Sequence, residues 1–534
     1  MGIPSYFSYI IKNHPNIVKK YFKDTLKVDN LYLDCNSIIY DAYSKMDVEK
    51  LTESIAVSII KRVVSKIEEY INIIQPKQTV VIAFDGVAPV AKLEQQRSRR
   101  YKSWYQNEMS RMIFKKNTDD VWNTTAITPG TKFMAELNTY VSKWFSVTKY
   151  GVSNIIVSGS NDVGEGEHKL FDYIRSNPEK HSTETTIIYG LDADLIMLSI
   201  NHLPICPNIY LFRETPHFIQ SIDSSLEPNA NYYLDIPEFT NALIKYMNND
   251  RELTTDQQKN KVYDYIFLCF FLGNDFLPHF PAVNIRTGGV DKMINAYKAT
   301  IGESNLNLTN GKTIYWGNVR KVVKELARLE EEFMIKEHRS RNNKERHLMP
   351  NTTPEQKFKM FESTPLYDRE MEHFINPVKP CWQNRYYSGL FDGKNDDLKR
   401  DVSINYLQGL EWTMKYYTTG CPDWRWNYKY CYPPLLEDLI HYIPLFEREF
   451  VPYKTPNPVS EIVQLCYVLP RTSLDLLPKK LYFELLRKHD DWYKGNCDFS
   501  WSYCRYFWEA HVEMNEIDIT ELERFISENR HLLI

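Results

Sequence analysis

Cysteine pairs, long apolar runs and a secretion signal are all missing from this sequence. Its nine cysteines form no Cys-x-x-Cys pair and show no zinc-ligand spacing, which leaves a disulfide framework and a zinc ribbon without support. The longest apolar run, Tyr265 to Leu272, is far shorter than the roughly 20 residues that cross a bilayer. The N-terminus also lacks a basic stretch followed by an apolar one. We therefore expect a soluble protein of a reducing interior with no membrane association.

Excess positive charge, internal repeats and low-complexity tracts are absent as well. A net charge of −4 and a pI of about 6.4 argue against a protein that coats nucleic acid over its whole surface. Any nucleic-acid site must then be a local groove. No cluster typical of nuclear localisation is present, so the cytoplasm is the expected compartment. A chain of 534 residues, 43% of them hydrophobic, is long enough to bury a large core in more than one folding unit.

Apolar, β-branched runs alternate with helical periods over the first 302 residues. The helical stretches include Leu51 to Ile74 and Glu167 to Ile174. This alternation predicts an α/β fold, with a mainly parallel central sheet flanked by helices. The predicted strands are Leu31 to Asp34, Thr79 to Asp85, Asn154 to Ser158, Thr186 to Asp192 and Ile209 to Arg213.

The remainder of the chain changes character twice. Residues 303–400 are interpreted as a helical and polar linker, with a charged helix at Lys321 to His338 and a solvated connection at Arg339 to Lys359. Residues 401–534 are rich in aromatic side chains and are expected to form a helical segment that packs on the core of residues 1–302 and completes its site.

Acidic side chains close or follow the apolar segments of the core, and two pairs of them are separated by a single residue. A lone aspartate at a strand end is more often a turn or helix-capping residue than a ligand. Carboxylates gathered together, however, repel one another unless cations lie between them. Oxygen ligands suit Mg²⁺ or Mn²⁺ better than Zn²⁺, and two such ions roughly 3.5 to 4 Å apart would support phosphodiester hydrolysis. The candidate ligands are Asp34, Asp85, Glu165, Glu167, Asp192, Asp194 and Asp275.

The run Gly164-Glu-Gly-Glu-His168 is predicted to open a helix after a strand. Its glycines permit close backbone approach, while both acids stay near the helix N-terminus. A capping role is the alternative for Glu167. His168 has no second histidine at zinc spacing and is interpreted as structural.

A cationic helix face follows the strand that ends near Asp85. Lys92, Gln96, Arg99 and Arg100 stand at i, i+4, i+7 and i+8, which places them on one side of a helix. Arginine binds phosphate oxygens in a bidentate manner and lysine adds a point charge. An isolated charge run is usually a solvated face, but the neighbouring acids favour a phosphate site here.

The chain resembles the XRN-type 5′→3′ exoribonucleases, the family of the Xrn and Rat enzymes. The resemblance is carried by several motifs in the same order along most of the sequence. They are Met1 to Phe7, Leu33-Asp-Cys-Asn-Ser-Ile-Ile39, Phe84-Asp-Gly-Val-Ala-Pro89, Lys92 to Arg100, Ile127-Thr-Pro-Gly-Thr131, Gly164 to Lys169, Leu191-Asp-Ala-Asp194, Leu272-Gly-Asn-Asp-Phe-Leu-Pro278, Ile285-Arg-Thr-Gly-Gly289, Gly409-Leu-Glu-Trp412, Trp424-Arg-Trp426 and Val468 to Pro478.

The resemblance implies a processive exoribonuclease that degrades single-stranded RNA with a 5′-monophosphate to nucleoside 5′-monophosphates. It makes the seven acids the ligands of two Mg²⁺ or Mn²⁺ ions, and the face Lys92, Gln96, Arg99 and Arg100 the 5′-phosphate pocket. It also implies that the first base stacks between Tyr40, where the family usually has histidine, and Trp426, with Trp424 as the second choice. Decapping factors become possible partners, and the extra C-terminal domains of the large cytoplasmic members are expected to be absent.

Two alternatives stay open at this point. One is a flap-type, structure-specific nuclease, which would share the acidic site and the sheet. The residues after Asp275 disfavour it, because they fit the XRN pattern and not a glycine-rich helix-turn-helix clamp. The other is a catalytically inactive RNA-binding scaffold, which the retention of every acidic position disfavours.

Overall fold

A seven-stranded sheet lies at the centre of the structure, a computed structural model that describes residues 5–22, 26–47, 51, 53–115, 122–146, 150–214, 224, 226–227, 230–248, 251–391, 393, 395–493 and 498–533. The strands run in the spatial order β1-β7-β6-β5-β2-β3-β4. They are β1 Val18–Lys20, β2 Asn30–Asp34, β3 Thr79–Ala83, β4 Asn154–Ser158, β5 Thr186–Tyr189, β6 Ile209–Glu214 and β7 Asn231–Asp235.

Five of these strands are parallel, as the alternation of apolar runs predicts. β2 pairs with β3 and β5, β3 with β4, and β5 with β6. The edge formed by β7 and β1 is antiparallel and was not predicted, so the sheet is mixed. The parallel strands place their carboxyl ends at one edge, where sites form in sheets of this kind.

Helices cover both faces of the sheet. The side chains of β2 alternate between two hydrophobic cores, with Tyr32 in one and Leu31 and Leu33 in the other. The helices of this part are α1 Tyr6–Asn13, α2 Asn36–Ser44, α3 Ile55–Ile74, α4 Val90–Phe114, α5 Lys132–Trp144, α6 Gly166–Ser176, α7 Pro178–His181, α8 Asp194–His202 and α9 Ile236–Asn248. The predicted α/β class is therefore confirmed.

The rest of the described chain is largely helical, with one small hairpin of β8 Asp498–Ser500 and β9 His511–Glu513. Aromatic side chains of α17 belong to the core that also contains one face of the sheet. The helices are α10 Thr255–Cys269, α11 Gly289–Tyr297, α12 Trp316–Glu345, α13 Pro354–Glu362, α14 Thr364–Tyr367, α15 Glu370–Ile375, α16 Trp382–Leu390, α17 Asp396–Thr418, α18 Leu436–Tyr442, α19 Glu461–Val468, α20 Lys479–His489 and α21 Ile519–Glu528.

The segment Arg339 to Lys359 differs from the solvated connection expected of it. Helix α12 continues to Glu345, and α13 begins at Pro354. Arg341 is buried and donates from its guanidinium to both carboxylate oxygens of Glu372, at 2.8 and 2.7 Å. The acidic partner of Arg341 lies 31 residues further along the chain, so the sequence around Arg341 gives no sign that this arginine is buried. The expectation of a solvated connection was wrong for that reason. The domain boundaries at 302 and 400 stay predictions.

Membrane-spanning helices and disulfide bonds were both considered in the sequence. None of the helices in the described ranges is both long enough and apolar enough to cross a membrane. The eight cysteines whose surroundings are described are all free.

Candidate active site

Asp34 and Asp85 meet at the carboxyl edge of the sheet. Asp34 ends β2, and Asp85 follows β3 by two residues. The parallel register pairs Asp34 with Ala83, which brings both acids to the carboxyl edge of the sheet. The side chain of Asn36 fixes Asp85 by donating from Nδ2 to Oδ2 (2.6 Å) and accepting from the Asp85 backbone N–H (3.0 Å). Asp85 Oδ1 accepts from the backbone N–H of Gly166 (2.7 Å).

The glycine at position 166 makes this approach possible. A Cβ atom there would lie 2.8 Å from Asp34 Oδ1 and 3.3 Å from Asp85 Oδ1, so any side chain would displace the carboxylates. Gly166 is the first residue of α6, where backbone N–H groups lack partners inside the helix and favour negative charge. The sheet edge and the helix N-terminus therefore hold two carboxylates in one place.

Lys92 of α4 lies among the acids. Its Nζ is 2.5 Å from Glu165 Oε2 and 2.6 Å from Asp275 Oδ2. Burial works against the ammonium, but the attraction of Asp275 and Glu165 outweighs it and raises the pKa of Lys92 well above its usual value. Glu165 Oε1 also accepts a hydrogen bond from the Tyr416 hydroxyl of α17 (2.8 Å). The distal helical segment thus contacts the acidic cluster directly.

Three carboxylate oxygens in the cluster are buried without a hydrogen-bond partner among the described residues. They are Asp34 Oδ1, Glu167 Oε2 and Asp194 Oδ1. Burial, followed by repulsion from neighbouring acids, raises the pKa of Asp34 and of Glu167 well above their usual values and that of Asp194 to about 7. Unpartnered carboxylate oxygens are costly in a protein interior, and a hard divalent cation is the natural partner for them.

The structure brings all seven predicted acids into mutual electrostatic contact. Each acid either raises the pKa of another acid in the set or has its own pKa raised by one. Asp192 is the exposed member, while Asp34, Glu165, Glu167 and Asp194 are buried. The cluster therefore has a buried floor and one acid at its solvent side.

His168 lies closer to the acids than the sequence suggested. One possible ligand atom from each of Glu165, Glu167 and His168 falls within 4.8 Å of the others, so this group can hold a metal ion. The imidazole stacks on the ring of Tyr416, with centroids 3.7 Å apart. Burial lowers the pKa of His168 well below its usual value, so the ring is neutral near pH 7.

The predicted phosphate-binding face is on α4, but its four side chains have different environments. Lys92 contacts the acids. Arg100 donates to Thr128 Oγ1 (2.5 Å), and burial lowers its pKa to about 10. Gln96 Oε1 and Arg100 Nε are buried without partners in the described part of the chain. Arg99 is exposed and borders a cavity described below.

The candidate stacking residues occupy three different settings. Tyr40 on α2 is 37% exposed, and it is among the charges that act on Arg100. Trp426 is buried, with its ring stacked on Trp412 at a centroid distance of 5.3 Å. Trp424 is half-buried, and its carbonyl accepts from the backbone N–H of Val90 at the start of α4 (3.0 Å). Which tryptophan stacks a base stays a prediction.

Sequence reasoning missed two residues that position the acids. Asn36 follows Asp34 in the motif Leu33-Asp-Cys-Asn, and that motif was the available signal. Tyr416 is one of many aromatic residues in the distal segment, and no local pattern marks a hydroxyl that bonds to an acid 251 residues away.

Comparison with known proteins agrees with this geometry. Residues 1–215 match the family model described as XRN 5′-3′ exonuclease N-terminus, and residues 256–372 and 364–522 match the model described as Xrn1 helical domain. Together the matches cover most of the chain.

Named relatives align over nearly the whole chain at low identity. The 5′-3′ exoribonuclease 2 of Arabidopsis thaliana is 25% identical over 96% of this chain and 65% of its own length. A homologue from Drosophila melanogaster is 26% identical over 90% and 65%. The 5′-3′ exoribonuclease 1 of Schizosaccharomyces pombe is 24% identical over 98% and 48%. The chain spans less than two thirds of the length of these relatives. From the two family models that it matches, we conclude that the chain belongs to the XRN 5′-3′ exonuclease family.

Proposed function

We propose that the protein is a metal-dependent 5′→3′ exoribonuclease that processively degrades 5′-monophosphorylated single-stranded RNA to nucleoside 5′-monophosphates. The observation that carries the proposal is the set of three buried, unpartnered carboxylate oxygens on Asp34, Glu167 and Asp194. They lie next to a helix whose exposed and half-buried cations can bind a phosphate. The relatives named exoribonucleases support the reaction class.

The donor set fits Mg²⁺ or Mn²⁺, because all seven acids of the cluster offer carboxylate oxygens. Two ions held by Asp34, Asp85, Glu165, Glu167, Asp192, Asp194 and Asp275 would activate water and stabilise the leaving oxygen of a phosphodiester. His168 is the neighbouring nitrogen donor. Without a cation, the structure neutralises part of the acidic charge with Lys92.

Recognition of the RNA end rests on α4. The Nε of Arg100 and the side chains of Gln96 and Arg99 supply donors for phosphate oxygens, and Lys92 adds charge from the acidic side. A pocket that closed behind a single phosphate would have no room for a cap, so we expect steric hindrance to exclude capped RNA.

Sequence-independent movement along RNA would follow from stacking. Tyr40 presents an exposed ring, and Trp426 or Trp424 presents the second surface. Stacking recognises the face of any base and does not depend on base identity. The cytoplasm as compartment, RNA decay as the process and decapping factors as partners are parts of the same proposal.

The test uses purified protein, Mg²⁺ and RNA labelled at its 3′ end. The proposal requires progressive loss of 5′-monophosphorylated RNA, release of mononucleotides, and persistence of capped RNA. An Asp194→Ala variant serves as the inactive control. If full-length RNA persisted with both the wild-type protein and the Asp194→Ala variant, a binding scaffold would be favoured. If capped and monophosphorylated RNA were lost equally, the assignment of a 5′-phosphate pocket would be wrong.

A further inference from the structure

A cavity borders helix α4 between Ala91 and Lys102. It is a chamber of about 710 Å³, within the range of small-molecule sites. Its wall is formed by residues of α4 between Ala91 and Lys102, by residues 272–279 and 284–286, and by distal residues: 427–431, Tyr467 and several in 504–517. Asp275 belongs both to this wall and to the acidic cluster, so the chamber adjoins the candidate metal centre.

The wall presents polar atoms that have no partner in the described part of the chain. Gln95 Oε1, Asn274 Nδ2 and His279 Nε2 are buried and unpartnered. Burial lowers the pKa of His279 to about 4, so its imidazole is neutral near pH 7 and can bond to a hydroxyl or a base edge. Buried polar atoms of this kind usually have a partner, and a polar ligand would supply it.

The charged side chains of the wall favour an anion. Its acids are largely engaged already, because Glu94 accepts from the Tyr467 hydroxyl and Glu509 pairs with Arg286 (2.5 Å). Lys102 donates to the carbonyl of Trp508 (2.9 Å). Within the described ranges, Lys102, Arg99 and Lys429 form no ion pair. Cations without acidic partners attract a phosphate.

Aromatic rings complete the wall. Tyr428, Tyr430 and Trp508 line the chamber together with His511. Rings beside unpaired cations suit a ligand that combines a base with a phosphate. We propose that the chamber binds a nucleoside 5′-monophosphate, the reaction product, after it leaves the metal centre; this inference rests on the proposed function.

The chamber contains its own reporter. Cys431 and Cys381 are both exposed, but Cys431 lines the chamber and Cys381 does not. Burial raises the pKa of the Cys431 thiol to about 11, so alkylation by iodoacetamide is carried out slowly at mildly alkaline pH. Mass spectrometry then follows both cysteines in the full chain, with EDTA present to remove metal from the acidic cluster.

The expected result is that AMP slows alkylation of Cys431 at least 5-fold and leaves Cys381 unchanged, while adenosine and inorganic phosphate protect less. A Lys429→Ala variant, whose side chain is exposed, should need at least 5-fold more AMP for the same protection. Lys132→Ala, far along the chain and also exposed, should behave as wild type.

Four results would overturn the inference. If AMP gave no protection while the protein still degraded RNA, the chamber would not be a product site, and the proposed function would be unaffected. Protection that needs Mg²⁺ would assign the nucleotide to the metal centre. Protection by a 5′-phosphorylated trinucleotide but not by AMP would make the chamber part of the substrate path. Protection by AMP in a protein that degrades no RNA would remove the product assignment.

Discussion

The ammonium of Lys92 lies 2.5 Å from Glu165 Oε2, so a residue expected to bind the RNA phosphate also serves as counterion to the candidate metal centre. Both side chains are largely buried, and Lys92 reaches Asp275 as well. The two functions are compatible, since a bound cation would neutralise the acids and leave the ammonium available to a phosphate.

Replacing Lys92 by methionine should destabilise the metal-free protein by about 3 kcal/mol, because it leaves two buried carboxylates without their cation. The measurement is denaturant unfolding in EDTA. Added Mg²⁺ should restore part of the loss, since an ion that binds only the folded state stabilises it. Lys132→Met, at an exposed position, should change stability by less than about 0.5 kcal/mol. Equal stability of the Lys92 variant and wild type in EDTA would contradict the ion pairs.

Replacing Asp194 by asparagine should stabilise the metal-free protein, and the gain should depend on pH. The pKa of Asp194 is raised to about 7 in the folded state, above its unfolded value of about 3.9. The folded protein therefore binds more protons between these values, and wild-type stability falls as pH rises through that window.

The difference in melting temperature between Asp194→Asn and wild type, both in EDTA, should be near zero at pH 4. It should grow up to pH 7 and then level off. The variant should also gain less stability from Mg²⁺. A difference that stays constant from pH 4 to pH 8 would show that Asp194 does not titrate in this range.

Replacing Gly166 by alanine should lower RNA degradation about 100-fold, because a Cβ atom 2.8 Å from Asp34 Oδ1 must displace a carboxylate, and small misplacements are costly in catalysis. Gly317→Ala is the matched control, since its Cβ would make only an ordinary contact at 3.5 Å with a backbone oxygen. The assay is the rate of mononucleotide release. Full activity of the Gly166 variant would place the reaction elsewhere.

Replacing Tyr416 by phenylalanine should raise the Mg²⁺ concentration needed for half-maximal activity several-fold. The change removes the hydroxyl that bonds to Glu165 but keeps the ring that stacks on His168. The expected loss of stability is about 1 kcal/mol. Tyr406→Phe, which removes a hydroxyl bonded to the Pro278 carbonyl at 3.0 Å, should cost similar stability without moving the Mg²⁺ requirement. A shared shift would indicate a general packing effect.

Replacing Arg99 by alanine should weaken discrimination between 5′-monophosphorylated and 5′-hydroxyl RNA more than it weakens metal binding. The guanidinium is exposed and has no acidic partner in the described ranges, so its loss should leave the fold intact. The ratio of kcat/KM values for the two RNAs measures the effect. An unchanged ratio would exclude Arg99 from the pocket.

The sequence predicted the parts of the fold that local patterns determine. The β-branched runs located β2 to β6, and the spacing of Lys92, Gln96, Arg99 and Arg100 indicated a helix that the structure contains. The antiparallel edge strands escaped detection because β1 is three half-buried residues, two of them lysines. From the sequence, Lys19 is expected to be an ordinary surface charge. In the structure it forms an ion pair with Asp235 on β7.

Tertiary contacts account for what could not be predicted in the site. The sequence indicated which acids gather, since each follows an apolar segment. It could not indicate that Lys92 lies among them or that Tyr416 reaches Glu165, because those distances depend on how α4 and α17 pack against the sheet. The different settings of Trp424 and Trp426 also follow from packing alone.

Titration of the metal-free protein with Mn²⁺, followed by electron paramagnetic resonance of the free ion, tests the central claim most directly. Convergent, unpartnered carboxylates should bind two Mn²⁺ ions per chain, Mg²⁺ should compete for both, and Asp194→Asn should lose at least one. A wild-type chain that leaves all added Mn²⁺ free in solution would contradict the account.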